Sequence, residues 1–273
     1  MKLVFTLLGS LFFFAFAKAQ SIPSTSTTAY SLQADAFYGV DDFENLYYGK
    51  DNVFYKSPID GRASVPKQQF YDVQLGDLTS VDLINPLKIL LFYKDTQTIV
   101  LLDNRLNETQ RVELNQLQPY RYFDFAGLAG ERRLWLYNLD QQRLELYDYI
   151  NDKLVVSSPV IQNQVTQMLT DYNYCHLVSD KGVASYNNYA SKTSELKLDN
   201  IHLADYDFEQ LVVQQDDAFK IFKFTADYKF TPMENDLNIE PQEPPKSLYL
   251  KNGKLYLYSR ARLSVFTTNQ KKN

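Results

Sequence analysis

Cysteine is almost absent: Cys175 is the only one among 273 residues. No internal disulfide can form, so the fold must be held by its core and its hydrogen bonds. Histidine is nearly as scarce, with only His176 and His202. A zinc site needs three or four converging nitrogen, sulfur or carboxylate ligands, and neither an HExxH nor a CxxC spacing occurs. Nine glycines leave little material for phosphate-binding loops, and no GxSxG elbow, Walker loop or dinucleotide fingerprint is present. Cys175 and His176 are neighbours on a strand-like segment, where successive side chains point to opposite faces. They cannot face each other as nucleophile and base. No catalytic residue is assigned, and no pair of carboxylates is singled out for glycoside chemistry.

Positive charge is also in short supply. The chain carries 28 basic against 33 acidic residues, a net of −5, with no concentrated basic patch. Nucleic acid and anionic lipid surfaces are therefore poor partners. No stretch beyond the N-terminus approaches eighteen consecutive apolar residues, so no transmembrane segment is expected.

The first residues read as a secretory leader. Lys2 supplies the positive end, Leu3 to Ala17 the apolar core, and Ala17-Lys18-Ala19 the small-x-small cleavage site, leaving Gln20 as the new N-terminus. Fifteen residues rising about 1.5 Å each cover roughly 22 Å, short of the ~30 Å hydrocarbon core. Cleavage of 1–19 leaves 26 basic and 33 acidic residues, a net of −7. Export by Sec without a disulfide suits the periplasm or outer-membrane periphery of a Gram-negative bacterium better than a eukaryotic extracellular space.

What is abundant is apolar and aromatic: 45% of residues are hydrophobic, with 21 Tyr and 18 Phe. They recur as a pair of apolar runs joined by a polar turn. The first runs begin at Leu46, Leu90, Leu134, Leu177, Leu211 and Leu255, at spacings of 44, 44, 43, 34 and 44 residues. A period near 44 matches four short strands and their turns. Runs such as Leu134 to Tyr137 and Leu255 to Tyr258 are apolar at every position, which marks strands covered on both faces. The turns between paired runs are Asp-rich, as at Lys50-Asp51-Asn52 and Asp180-Lys181-Gly182, and no helical stripe competes with them.

A further strand candidate precedes each pair of runs, and an outer one follows in five of six repeats. The segment from about Ile22 to Ala29 can supply the missing sixth by pairing with the C-terminal repeat, closing a ring and hiding two sheet edges. The expected architecture is all-β, a six-bladed β-propeller filling residues 20–273 as one domain. In period and pattern the chain resembles the six-bladed β-propeller superfamily, in the loose sense shared by NHL-type and TolB-type propellers. It lacks a repeated Trp-Asp signature, the sole Trp being Trp135.

Three sets of residues are candidates for function. Carboxylates recur near the start of repeats, and six-bladed lactonases hold calcium in their channel with such oxygen ligands. Asp82, Asp124, Asp171 and Asp205 are the ligand set this alternative requires. The same residues are also ordinary turn-formers. Tyr120, Tyr122, Tyr172 and Tyr174 belong to clusters able to present rings at blade tips, although Tyr also suits blade-to-blade packing. The stretch Pro232 to Pro245, carrying Glu234, Asp236 and Glu240, reads as an exposed acidic loop able to touch a partner or simply to span two blades. With no assembled catalytic chemistry, the leading expectation is a non-enzymatic, cofactor-free envelope scaffold. It would bind outer-membrane or periplasmic proteins within a multi-protein complex. A calcium-dependent hydrolase or lyase acting on lactones or polysaccharides, and a glycan-binding module, are the alternatives.

Overall fold

The computed structural model describes residues 28–61, 67–233, 237 and 239–268. The leader, its cleavage site, Glu234 and Asp236 fall outside them. No helix among the described residues is long and apolar enough to cross a membrane.

The chain is a six-bladed β-propeller. It starts with β1 (Thr28–Ser31), then lays down four-stranded antiparallel sheets in sequence. Blade 1 is β2 (Ala36–Val40), β3 (Asn45–Lys50), β4 (Val53–Pro58) and β5 (Gln68–Phe70). Blade 2 is β6 (Ser80–Asp82), β7 (Ile89–Tyr93), β8 (Thr98–Leu102) and β9 (Glu108–Glu113). Blade 3 is β10 (Phe123–Leu128), β11 (Arg133–Asn138), β12 (Arg143–Asp148) and β13 (Lys153–Ser157). Blade 4 is β14 (Val165–Thr170), β15 (Tyr174–Ser179), β16 (Gly182–Asn187) and β17 (Lys192–Lys197). Blade 5 is β18 (Ile201–Asp207), β19 (Gln210–Gln215), β20 (Ala218–Phe224) and β21 (Phe230–Pro232). Blade 6 has β22 (Ser247–Lys251), β23 (Lys254–Ser259) and β24 (Arg262–Thr267), and takes β1 as its outer strand.

That exchange closes the ring. Thr28 lies opposite Val265 and Ser31 opposite Arg262, so the closing strand reaches two residues beyond Ala29, while 22–27 lie outside the described residues. Other outer strands depart from their expected bounds in either direction: β5 covers Gln68–Phe70 where 62–67 was expected, 62–66 lying outside the described residues, and β17 covers Lys192–Lys197 where 195–200 was expected. They have few buried side chains, so little in their pattern announces their ends.

The unbroken apolar runs have a simple geometric cause. Six clusters of buried side chains lie one between each pair of neighbouring blades, and alternate residues of a middle strand feed alternate clusters. On β7, Leu90 and Phe92 pack toward blade 3, whereas Ile89, Leu91 and Tyr93 pack toward blade 1. Trp135 and Tyr137 turn toward blade 4 and Leu134 and Leu136 toward blade 2. Every residue of β7 and β8 is buried. Full burial of each such side chain contributes about 1.5–3 kcal/mol, which is how a disulfide-free ring holds.

The Asp-rich turns obey one local design. Asp41, Asp103 and Asn187 each accept backbone N–H groups two and four residues on. Each of these loops, and the one from Thr225 to Lys229, places its fourth residue at positive φ: Glu44, Leu106, Ala190 and Tyr228. The side-chain oxygen of Asx holds the turn, so glycine is not needed for it. This explains how so glycine-poor a chain makes so many hairpins.

Candidate functional site

In an antiparallel four-stranded blade, the turns after the first and third strands lie at one end of the ring and the remaining connections at the other. The first strands of all six blades surround the axis. They enclose a cavity of about 820 Å³ that includes Tyr38, Asp82, Phe125, Gln167, Asp205 and Tyr249. The cavity reaches the first end, where Tyr172, Asn173, Phe208, Glu209 and Tyr228 form its rim.

The wall is acidic. Among the described residues, Asp82, Asp171, Asp205, Asp207 and Glu209 line it against a single cation, Lys251. Asp82, from blade 2, accepts the Leu128 N–H of blade 3 at 2.7 Å and the Thr170 hydroxyl of blade 4 at 2.8 Å. It also accepts its own Ile84 N–H. Gly127 makes this three-blade bridge possible, because a Cβ there would lie 2.8 Å from Thr170 and 3.2 Å from Asp82. Asp205 accepts the Leu250 N–H of blade 6 at 2.6 Å. Asp207 accepts the Asn252 N–H at 2.8 Å and stands 3.9 Å from Lys251, which also pairs with Asp42 at 3.2 Å. Burial raises the carboxyl pKa of Asp82, Asp171, Asp205 and Asp207, Asp205 to about 7. Tyr249 of blade 6 packs against Gly39 of the neighbouring blade 1, where a Cβ would lie 2.6 Å from the ring. Burial, then the Asp205 carboxylate, pushes the Tyr249 hydroxyl well above its usual range.

The rim is aromatic. Tyr174 packs edge-on to Phe224 at 5.3 Å and tilts against Tyr228 at 6.2 Å. Phe208 is 87% exposed and sits at φ 46°, followed by Glu209 at φ 64°. Two-residue hairpin turns of that geometry favour Asn-Gly, and a bulky residue at positive φ is an outlier. The turn therefore holds a phenyl ring out in water at a conformational cost. Around the same end stand Phe43, Leu87, Ile150, Tyr172, Tyr189 and Tyr228, all exposed on turns after first or third strands. The other end carries Tyr71, Val73, Tyr120, Leu139 and Val160. Five of the seven exposed rings and aliphatics at the channel mouth are aromatic, against two of five opposite.

The residues expected from the sequence are thus divided. Tyr172 and Tyr174 reach the channel mouth. Tyr120 is exposed at the opposite end, and Tyr122 lies beside it with its N–H bonded to Asp140. Glu240 also belongs to that end, in the connection from β21 to β22. This connection is not simply a solvated loop: Leu237 and Ile239 are buried against Phe219, Ile221 and Leu248 of blades 5 and 6.

The four-carboxylate calcium set does not form. Asp124 pairs with Lys94 at 3.2 Å away from the cavity, and Asp171 turns back onto the Asn173 and Tyr174 N–H groups. Among the described residues no three His, Cys, Asp or Glu side chains stand together to hold a metal. The carboxylates do not fit calcium.

His176 lies inside the fold. It is fully buried between blades 4 and 5, 4.1 Å from the Tyr206 ring, with Nδ1 at 2.8 Å from Ser185 Oγ and Nε2 without a partner. Burial lowers its pKa to about 3. Cys175 packs into the opposite interface, with blade 3, so the two side chains do diverge.

Sequence reasoning passed over Phe208, Tyr228, Tyr249 and Lys251. The one available signal was Asp207-Phe208-Glu209-Gln210, a hairpin tip without Asn or Gly.

No protein-family model matches the chain, and no curated protein is similar to it in sequence. Solved structures are similar in shape. A chain of the mitotic checkpoint complex is 8% identical with a TM-score of 0.62, covering 99% of both chains. Streptogramin B lyase is 12% identical with a TM-score of 0.57, over 89% of this chain and 97% of its own. PorZ of Porphyromonas gingivalis, a surface component of a type-IX secretion system, is 10% identical with a TM-score of 0.50, over 89% of this chain and 38% of its own. The kinship is of fold. It embraces a checkpoint subunit and a lyase, so function must be argued from the site.

Proposed function

We propose that this protein is an exported, non-enzymatic scaffold of the bacterial cell envelope that docks a protein partner on the channel-mouth face of its propeller. The observation that carries the reading is the gathering of exposed apolar side chains at that end, led by a phenyl ring held out at positive φ. Large apolar groups clustered on a rigid surface, rimmed by charge, are the usual composition of a protein interface. The leader-like N-terminus supports an envelope address. That PorZ is a surface component of a secretion system supports an assembly at the outer membrane.

Affinity capture of the tagged protein from detergent-solubilised envelopes of its host tests this reading. Wild type and a Tyr71→Ala, Tyr120→Ala variant of the opposite face are expected to recover the same stoichiometric partner. Phe208→Ala with Tyr189→Ala is expected to lose it. Recovery of a bare monomer, or equal loss from both faces, overturns the assignment. The mass of the mature chain checks processing before Gln20.

A further inference from the structure

We propose that the central channel is a cation pocket that receives the guanidinium or ammonium of a basic side chain carried by the docked partner. This rests on the docking reading of the mouth face and adds the chemistry of what enters it.

Three independent features point to a cation. The first is charge: among the described residues five carboxylates line the cavity against one ammonium, and Lys251 is already engaged by Asp42 and Asp207. An ionised carboxylate has about four acceptor sites. Asp205 and Asp207 each spend some of theirs on backbone N–H groups at the wall, leaving acceptor capacity for a ligand. A guest rich in donors and lacking acceptors, as guanidinium and ammonium are, matches that wall. An anion does not.

The second is the rim. Tyr172, Phe208 and Tyr228 line the cavity at its entrance, and a cation passing them gains from the negative faces of their rings. The alkyl stem of Lys or Arg would lie against the same rings while its charged head went deeper. The third is Tyr249. It stands deep in the channel wall, within electrostatic reach of Asp205, Asp207 and Asp82. Tyr249 lines the cavity, and its hydroxyl makes no hydrogen bond to any described residue.

A bare metal ion is a poor guest, since no three ligating side chains converge among the described residues. A side chain is a better one. It needs no fixed coordination shell, it fits a cavity of about 820 Å³, and its parent chain would cover the apolar side chains around the mouth. The partner segment is therefore basic, complementing an acidic protein.

The test uses blocked tripeptides, acetyl-Gly-Arg-Gly-amide and its citrulline counterpart, which keeps the shape of Arg without its charge. Binding is read by titration calorimetry and ligand-detected NMR on the full mature protein. The arginine peptide is expected to bind and the citrulline peptide to bind at least about tenfold more weakly. Asp205→Asn with Asp207→Asn should weaken the arginine peptide by a similar factor. Both side chains keep an acceptor for their backbone N–H groups, and near-ultraviolet dichroism of buried Trp135 verifies the fold. Equal binding of both peptides, as expected of a polar pocket for neutral sugars, overturns the proposal. So does binding that ignores the double substitution, or no saturable binding. Partner capture separates the two readings. Capture retained by the double variant, with no peptide binding, leaves the docking face standing and removes the cation pocket. Peptide binding without any captured partner does the reverse.

Discussion

Asp205 offers the sharpest test of how the channel is built. Its carboxylate is walled in by blades 5 and 6, and burial raises its pKa from the usual 3.8 to about 7. The folded protein thus holds this proton more tightly than the unfolded chain. The stability contributed by the neutral form is full below pH 3.8 and is lost as pH rises through about 7. At 1.36 kcal/mol per tenfold change in proton affinity, the ionised group costs the fold on the order of 4 kcal/mol above pH 8. About 2.5 kcal/mol of that is lost between pH 5 and pH 8. Asp205→Asn keeps an oxygen for the Leu250 N–H, now bonded at 2.6 Å, and cannot ionise. Urea unfolding followed by tryptophan fluorescence gives both stabilities, provided the denaturant slope is unchanged. The variant's advantage over wild type should grow by about 2.5 kcal/mol from pH 5 to pH 8. An advantage that stays constant across that range refutes the account of a buried, uncompensated carboxylate.

Other consequences follow from single contacts. His176, held neutral with a pKa lowered to about 3, contributes stability that is present above about pH 6.5 and drains away as pH falls toward 3. His176→Phe should flatten that acid limb in thermal melts at pH 4 to 7, whatever it costs in absolute stability. Gly127→Ala drives a methyl to 2.8 Å from Thr170, and should cost about 1–3 kcal/mol by prising open the Asp82 bridge; an unchanged melting temperature contradicts the bridge. Replacing Phe208-Glu209 by Asn-Gly relieves two residues at positive φ. It should stabilise the protein by about 1–2 kcal/mol while abolishing partner capture, which a purely structural turn would not do.

Much of the fold was legible because burial in a propeller is periodic. Ile89 to Tyr93 are apolar without a break since each alternate side chain meets a different blade, and that pattern recurs at each repeat. The N-terminal closure followed from counting outer strands. The bounds of some outer strands were less legible, because Lys192–Lys197 and Gln68–Phe70 bury little and so carry little pattern. The segment before β22 exposes Glu240 as expected, but its anchorage was not legible. Two isolated apolar residues, Leu237 and Ile239, are enough to pin it to blades 5 and 6, and two residues make no period.

Sequence by itself determined the all-β class, the six repeats and the closure of the ring by the N-terminal segment. The first two rest on the pattern within a repeat of about 44 residues, and the third on the count of outer strands. Only the tertiary structure decided the site. Asp82, Thr170, Asp205 and Tyr249 come from four different blades, and closure of the ring alone makes them neighbours. The up-and-down order of strands within each blade sends Tyr172 to the channel mouth and Tyr120 to the far end. A repeat period says which residues are equivalent. Which of them share a wall, and at what height along the axis, is set by the stagger of strands packed around the channel.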